Sequence, residues 1–495
     1  MSSTGLLLIP LGLLLMLAPW RWSLLLMPTF CLLHAAAVVQ IGSFGLQPGY
    51  FLGLLMVGRT LVELTLGGQS LNRRVLLSMV PLFVLLVSAV ATLWLALYFF
   101  QGEVEVIGGS AGFNLDRAAP FSFQRENITQ LSYLLINLLI VYAVAHQLAR
   151  LPREEIPALT GQAMALALLI ASGLCLWHYA SSQTGLPWPD SFFQSNTSYR
   201  AAHGQRMLGE LRVNGPFSEP SALSYFYCGF LLFAWFRFRE RPTMLSASLI
   251  LLCLVCLFLA KATTGFFAMA AFAAVAGGDM ALSLLRGRIR LPRVSIASVL
   301  GVVIMLGGVA AGAAYLAAHQ EFVGDLIEKV VVQKQESSSY EERAAVNLMA
   351  ISIAMETYGI GLGLGSHKPS SLPLTLLCNV GVVGTAAYLL FMLDLLRPRR
   401  GHGPAPDGLS LRPLKWHLLG LLLIHAFSNP NLSMVMVWLD CGLLCGALAA
   451  RSGVVRPGVV EAVEPGRAGM RPEGAGGLRG YGLLVRRVPC SGPVD

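Results

Sequence analysis

Apolar runs long enough to cross a bilayer recur along this chain and constrain its fold more than anything else in it. Residues 76–99, 128–146, 160–180 and 371–395 are four of them. A bilayer core takes about 20 apolar residues per helix. Inside it each backbone polar group needs a partner within the fold, which favours helices. The chain is 55% hydrophobic and 12% charged, against roughly 25% charged for soluble domains. The expected fold is an all-α polytopic membrane protein. About thirteen spans are read from the pattern, near 5–19, 23–43, 49–67, 76–99, 128–146, 160–180, 219–236, 245–260, 265–283, 295–317, 371–395, 416–428 and 432–450. The first run has no basic residue before it and no clear cleavage site, so it reads as a retained span. Residues 1–450 read as one multi-span domain. Residues 451–495, rich in Gly, Pro and Arg without periodicity, read as a disordered tail.

Basic residues orient the spans, because Lys and Arg stay on the cytoplasmic side. The connections holding Arg21, Arg73, Arg150, Arg237, Arg286 to Arg293 and Arg397 to Lys415 alternate onto one side, with the tail. That side collects 24 of the 35 Lys and Arg. The net charge of +9 is therefore mostly a topology signal, and no nucleic-acid partner is expected. The N-terminus is expected outside and the C-terminus in the cytoplasm. Three sizeable loops fall on the outer side, near 101–127, 181–218 and 319–370.

The most unusual polar stretch is 211-LRVNGPFSEPSALS-224. Gly215, Pro216 and Pro220 break the backbone before the next span. Ser218 is expected to cap that helix, with Glu219 in its first turn, where a carboxylate suits the dipole. Arg212 has no such structural reason. With Arg200 and Arg206 it would suit a phosphate group, or lipid headgroups. The third loop carries Tyr340 and Arg343, then 359-GIGLGLGS-366, then His367 and Lys368. A short amphipathic helix is expected at 344–357, with Arg343 at its start. The glycines, Gly363 and Gly365 among them, would bring backbone amides to an anion. His367 is either a general base at an aqueous mouth or a surface histidine beside a lysine. Lys261 reads as an exposed turn residue, with Thr263 and Thr264 capping the helix after it.

Within the spans, Arg59 and Glu63 stand four apart on one helical face, as an ion pair or beside a polar cavity. His34, His425, Asp394 and Asp440 are isolated in the sequence and are expected near interfaces or hydrogen-bonded inside the bundle. Eight of the nine cysteines lie in apolar runs, and Cys253 and Cys256 lack polar partners. They read as packing residues, and no disulfide framework, metal or cofactor is expected.

Two segments together, R-x-N-G-P-F-S-E-P-S-A-L-S at 212–224 and S-Y-E-E-R at 339–343 followed by GIGLGLGS and 379-NVGVVG-384, resemble the bacterial O-antigen polymerase and ligase superfamily, on the exopolysaccharide-polymerase side. The segments 46-LQPGYFLGLL-55 and 258-FLAKATTGFFAM-269 agree, and the likeness covers roughly residues 40–450 as an order of elements. It implies a glycosyltransferase of the multi-span, GT-C-like type in the bacterial inner membrane. Such a protein acts at the outer face, without metal, on an undecaprenyl-diphosphate-linked oligosaccharide. Arg212 and Arg343 match the positions that would hold the diphosphate. In ligases a histidine precedes the glycine pair by about a dozen residues. Here His367 lies fourteen before Gly381, within 366-SHKPSS-371. That departure argues against a ligase and puts His367 in doubt as a base.

The function expected is a polysaccharide polymerase that joins lipid-linked repeat units. Arg212, Arg343, Glu219 and His367 are its catalytic candidates. Arg200, Arg206, Asn214, Tyr340, Gly363, Gly365 and Lys368 are its substrate-binding candidates. Membrane lipids, a chain-length regulator and a flippase of the same pathway are the expected partners. The alternatives are a ligase moving finished glycan to a lipid or protein acceptor, a lipid-linked sugar transporter or flippase, and a non-enzymatic scaffold.

Overall fold

A computed structural model describes residues 2–42, 44–108, 115–197, 205–207, 210–286, 338–398, 409–428 and 431–450, all within one unit, Met1–Gly453. The span expected at 295–317, the tail at 451–495 and Arg200 lie outside the described residues. The chain runs through α1 (Ser3–Leu17), α2 (Trp20–Leu32), α3 (Pro48–Thr65), α4 (Arg73–Ser78), α5 (Val80–Phe99), α6 (Arg125–Leu148), α7 (Ile156–Thr184) and α8 (Asp190–Phe193). It continues with α9 (Pro220–Glu240), α10 (Met244–Ala260), α11 (Thr263–Leu285), α12 (Ser338–Glu356), α13 (Leu372–Leu396), α14 (Arg412–Phe427) and α15 (Val435–Ala449). Five of these, α5, α6, α7, α11 and α13, are long and apolar enough to cross a membrane. Helices α1, α10 and α15 are apolar but shorter. The strands described are three short antiparallel ribbons: Val39–Ile41 with Phe44–Leu46, Glu105–Val106 with Ala119–Pro120, and Arg206–Met207 with Glu210–Leu211.

Helix α9 is the axis of the bundle. From Ala222 to Phe236 every residue is buried, where a surface helix would bury one stripe. Glycines bring α14 against it. A Cβ on Gly420 would lie 2.8 Å from the Cys228 carbonyl oxygen. Such close backbone approach is how small residues join helices where lipid removes the hydrophobic drive between them.

Side-chain bonds sort the connections into two ends. At one end Arg21 pairs with Glu155, Arg239 and Arg412 both pair with Asp279, Ser410 bonds Glu240, and Lys415 donates to the Arg397 carbonyl. At the other, Thr4 bonds the Phe192 carbonyl, Asn196 N–H reaches Ala35, and Ser218 meets His34. These are the groupings that the alternation of basic connections predicts.

Arg59 and Glu63 do pair, at 3.1 Å, but as part of a larger lock at the basic end. Glu63 also accepts from Trp20 Nε1 at 2.7 Å, Gln147 Nε2 at 2.9 Å, Arg150 Nη1 at 2.9 Å and Gln69 Nε2 at 3.2 Å. Arg59 donates onward to the Ala18 carbonyl, the C-cap of α1. One carboxylate thus ties α2, α3 and α6 together, and its arginine satisfies a helix end that would otherwise be orphaned.

Candidate functional site at the loop end

The 212–219 segment is held at every step. Arg212 N–H donates to the Gln205 carbonyl and Val213 N–H to that of Leu259, so the segment lies along the C-terminus of α10. Asn214 turns the chain: its Nδ2 donates to the Phe217 carbonyl at 2.8 Å, and Phe217 N–H returns to the Asn214 carbonyl. Gly215 has φ of 54° and sits where a Cβ would be 2.7 Å from Cys175 Sγ, so both its conformation and its closeness to α7 require glycine. Phe217 is fully buried against Phe226 and His34. Asn214 is therefore a buried turn-former, not a substrate contact. Ser218 is not the cap of α9. Its hydroxyl meets His34 Nε2 at 3.2 Å, and the N-cap is Glu219.

Glu219 is exposed at the N-cap of α9, with Ser221 donating to its Oε1. Arg212 lies near enough for that charge to act on it. The guanidinium is half-buried. It donates from Nη1 to Gln205 Oε1 at 2.9 Å and from Nε to the Ala260 carbonyl at 3.4 Å. Burial lowers its pKa from the ordinary value, and the Glu219 charge opposes this. Lys261 follows Ala260 directly. It is buried, not exposed, and closes α10 in the left-handed region at φ of 46°. Its pKa is lowered by burial. The cap of α11 is Ala262, with Thr263 already helical, so the two threonines do not cap it. Arg206 is exposed on the ribbon opposite Leu211.

The glycine-rich stretch has a different role from the anion cradle expected of it. Gly359, Gly361, Gly363 and Gly365 all have φ between 74° and 89°. The irregular segment they form runs against a break in α13 at Gly381. There Leu362 and Gly363 N–H donate to the Cys378 and Asn379 carbonyls, and Val382 N–H donates to that of Gly359. Amides 359 to 363 and 366 to 368 are all spent on protein acceptors. A Cβ on Gly363 would meet Leu93 at 2.7 Å, and one on Gly365 would meet the Glu126 carbonyl oxygen at 2.6 Å. These glycines permit close packing, and the Gly363 amide is taken by the Asn379 carbonyl.

His367 is likewise structural. It is 2% exposed, its Nδ1 accepts from Ile107 N–H at 3.2 Å, and its Nε2 lies 3.0 Å from the Val346 carbonyl. Both nitrogens face backbone, and neither is free for an acceptor hydroxyl, so a general-base role is not offered here. Burial lowers its pKa, opposed by the Val346 carbonyl. The unfolded side chain takes a proton near pH 6.5 while the folded one still resists it. Stability from this contact is full above that pH and is lost as pH falls below it. His367→Gln should cost about 1–2 kcal/mol of stability and remove part of the acid sensitivity. It should leave the pH dependence of any activity unchanged. Thermal unfolding across pH checks this.

Arg343 lies in the second turn of α12, which begins at Ser338, earlier than the sequence suggested. Tyr340 is in its first turn, and its side chain lies outside what is described. The turn after Arg343 receives the loop: His367 bonds Val346, and Asn347 makes two bonds to Ser370. Lys368 is half-buried, its pKa lowered by burial, and its ammonium pairs with no carboxylate among the described residues. Two stretches thus carry cations: Arg212, anchored on the carbonyl of Ala260 next to Lys261 and within reach of the Glu219 charge, and Lys368, in the loop that bonds the turn of α12 after Arg343.

Asp440 and His425 are hydrogen-bonded inside the bundle, one of the two placements expected, but their partners had no signal in the sequence: Asp440 meets His417, and His425 meets Tyr225. The residues of each pair are 23 and 200 positions apart, so no local pattern could join them. No family model, curated protein or solved structure matches this chain. Fold and composition define an all-α membrane protein.

Proposed function

We propose that this chain is a polysaccharide polymerase. It transfers undecaprenyl-diphosphate-linked glycan repeat units onto one another at the outer face of the bacterial inner membrane. The observation that carries the reading is Arg212 beside Glu219, a half-buried cation with an exposed carboxylate at the mouth of the bundle. In the reaction an acceptor hydroxyl oxygen attacks C1 of the donor sugar. The C1–O bond to the diphosphate breaks, and the lipid diphosphate leaves with the electron pair. Glu219 takes the hydroxyl proton. Arg212 stabilises the charge that develops on the leaving group, a task arginine performs by its fixed fork of donors. Attack from the opposite face inverts the anomeric centre. In this reading the GT-C-like bundle has its N-terminus outside and its C-terminus in the cytoplasm. A chain-length regulator and a flippase work beside it.

The test is reconstitution of the chain in vesicles with undecaprenyl-diphosphate repeat units as the sole substrate. A polymerase yields a ladder of lengthening lipid-linked chains. Transfer to an added lipid or protein acceptor without a ladder identifies a ligase instead. The transporter reading gains one observation, the ionisable pair His417–Asp440 within the bundle. It predicts movement of substrate across the vesicle membrane with no new glycosidic bond.

A further inference from the structure

The centre of the bundle holds an ionisable pair that the loop-end site does not use. His417 on α14 and Asp440 on α15 are each 0% exposed, and His417 Nδ1 lies 2.6 Å from Asp440 Oδ2. The other atom of each, His417 Nε2 and Asp440 Oδ1, is buried with no hydrogen-bond partner. Helix α9 walls the imidazole with Phe230, its ring centroid 4.7 Å away, and with Phe233 edge-on.

The ionisable neighbours are few and ordinarily uncharged. Helix α2 brings Cys31 and α9 brings Tyr225 to Asp440, and Tyr225 in turn has Cys228 and, from α13, Tyr388 beside it. Cys441 follows Asp440 on α15, and His425 stands two turns along α14, bonded to Tyr225. Helix α6 meets α15 through Val141, Val144 and Ala145. Among the described residues, no lysine, arginine or second carboxylate pairs with either member.

Charge counting then decides what the pair holds. With Nδ1–H donating to a carboxylate and Nε2 bare, it carries a net −1 in an apolar bundle, which is costly. One further proton, on Nε2, makes it neutral. A metal cation is a poor substitute, because hard cations need several oxygen ligands and the wall here is aromatic. We propose that His417 and Asp440 form an intramembrane proton-binding site. It holds one proton more than an aspartate and a neutral imidazole carry, and it secures α14 to α15 while that proton is bound. This stands apart from the transferase reading and neither supports nor needs it.

The test is reversible unfolding of the full chain in mixed micelles, in sodium-free potassium buffer from about pH 7 to 9. There an unfolded histidine has released its proton. The folded pair keeps it, so folding takes up one proton, and the folded-to-unfolded ratio should fall about tenfold per pH unit as pH rises. Asp440→Asn needs no extra proton and should lose that slope. The double variant H417Q/D440N, with an amide pair, should recover stability and stay flat. An equal slope in the wild type and both variants overturns the proposal. So does a slope that sodium abolishes, which would mark a cation site. Should neither variant fold, nitrogen NMR of the wild-type imidazole decides: a protonated Nε2 at alkaline pH is expected, and a bare one overturns the site.

Discussion

Arg212→Ala should lower polymer formation by about 10²–10³-fold at unchanged membrane levels, the usual cost of removing one preorganised donor to a developing oxyanion. The guanidinium is already fixed by Gln205 Oε1 and the Ala260 carbonyl, so under the proposed transfer it would meet the leaving diphosphate with little reorganisation. Arg212→Lys should recover only a small part. An ammonium is a point charge without the planar fork, and it cannot keep both anchors and present a donor to the substrate. Arg74→Ala, exposed in the first turn of α4, is the matched control and should stay within a few-fold of wild type. The measurement is polymer length and yield by gel, with thermal unfolding to confirm the fold. Undiminished yield in both Arg212 variants would remove the arginine from the chemistry.

Those contrasts follow from what the sequence could and could not reveal. The apolar, all-helical character was legible because it depends on composition: lipid selects apolar runs, and five of the described helices are long and apolar enough to cross a membrane. The structure also pairs basic connections with one another's neighbours, Arg21 with Glu155 and Arg239 and Arg412 with Asp279. Arg59 with Glu63 was legible because a helix repeats locally. The remaining partners of Glu63 were not, since Trp20 and Arg150 arrive from other helices. The glycine stretch misled for a physical reason. Glycine marks close backbone approach or positive φ, but the pattern is silent on whether an anion or another helix does the approaching. Lys261 misled too, because a cation in a short turn looks solvated until the neighbouring segment covers it. Asp440 and His417 could be noticed singly as costly residues, but their pairing is a matter of tertiary structure alone.

Gly381→Ala should destabilise the chain by more than any other single methyl, about 3–5 kcal/mol or enough to prevent folding. At φ of 67° and ψ of −174° this residue occupies a region that is essentially glycine-only. The added Cβ would lie 2.1 Å from the Ile360 carbonyl oxygen and 2.5 Å from that of Gly359, and neither backbone atom can yield without moving the glycine-rich segment. Moving it breaks the bonds from Leu362 and Gly363 that satisfy the Cys378 and Asn379 carbonyls, freed where α13 is interrupted. In lipid such groups have no water to turn to. Gly384→Ala is the discriminating comparison. Its Cβ would meet Val380 and Ser88 side chains at 2.8 and 3.2 Å, on a helix of ordinary geometry, and side chains can shift. A loss of about 1–2 kcal/mol is expected there. Thermal unfolding of both variants separates the cases. Equal losses would mean that the break in α13 is not held by the glycine-rich segment. A larger loss at Gly381 would leave the placement of Lys368 beside α12 dependent on that break, because the segment it anchors runs on into the loop seated on α12.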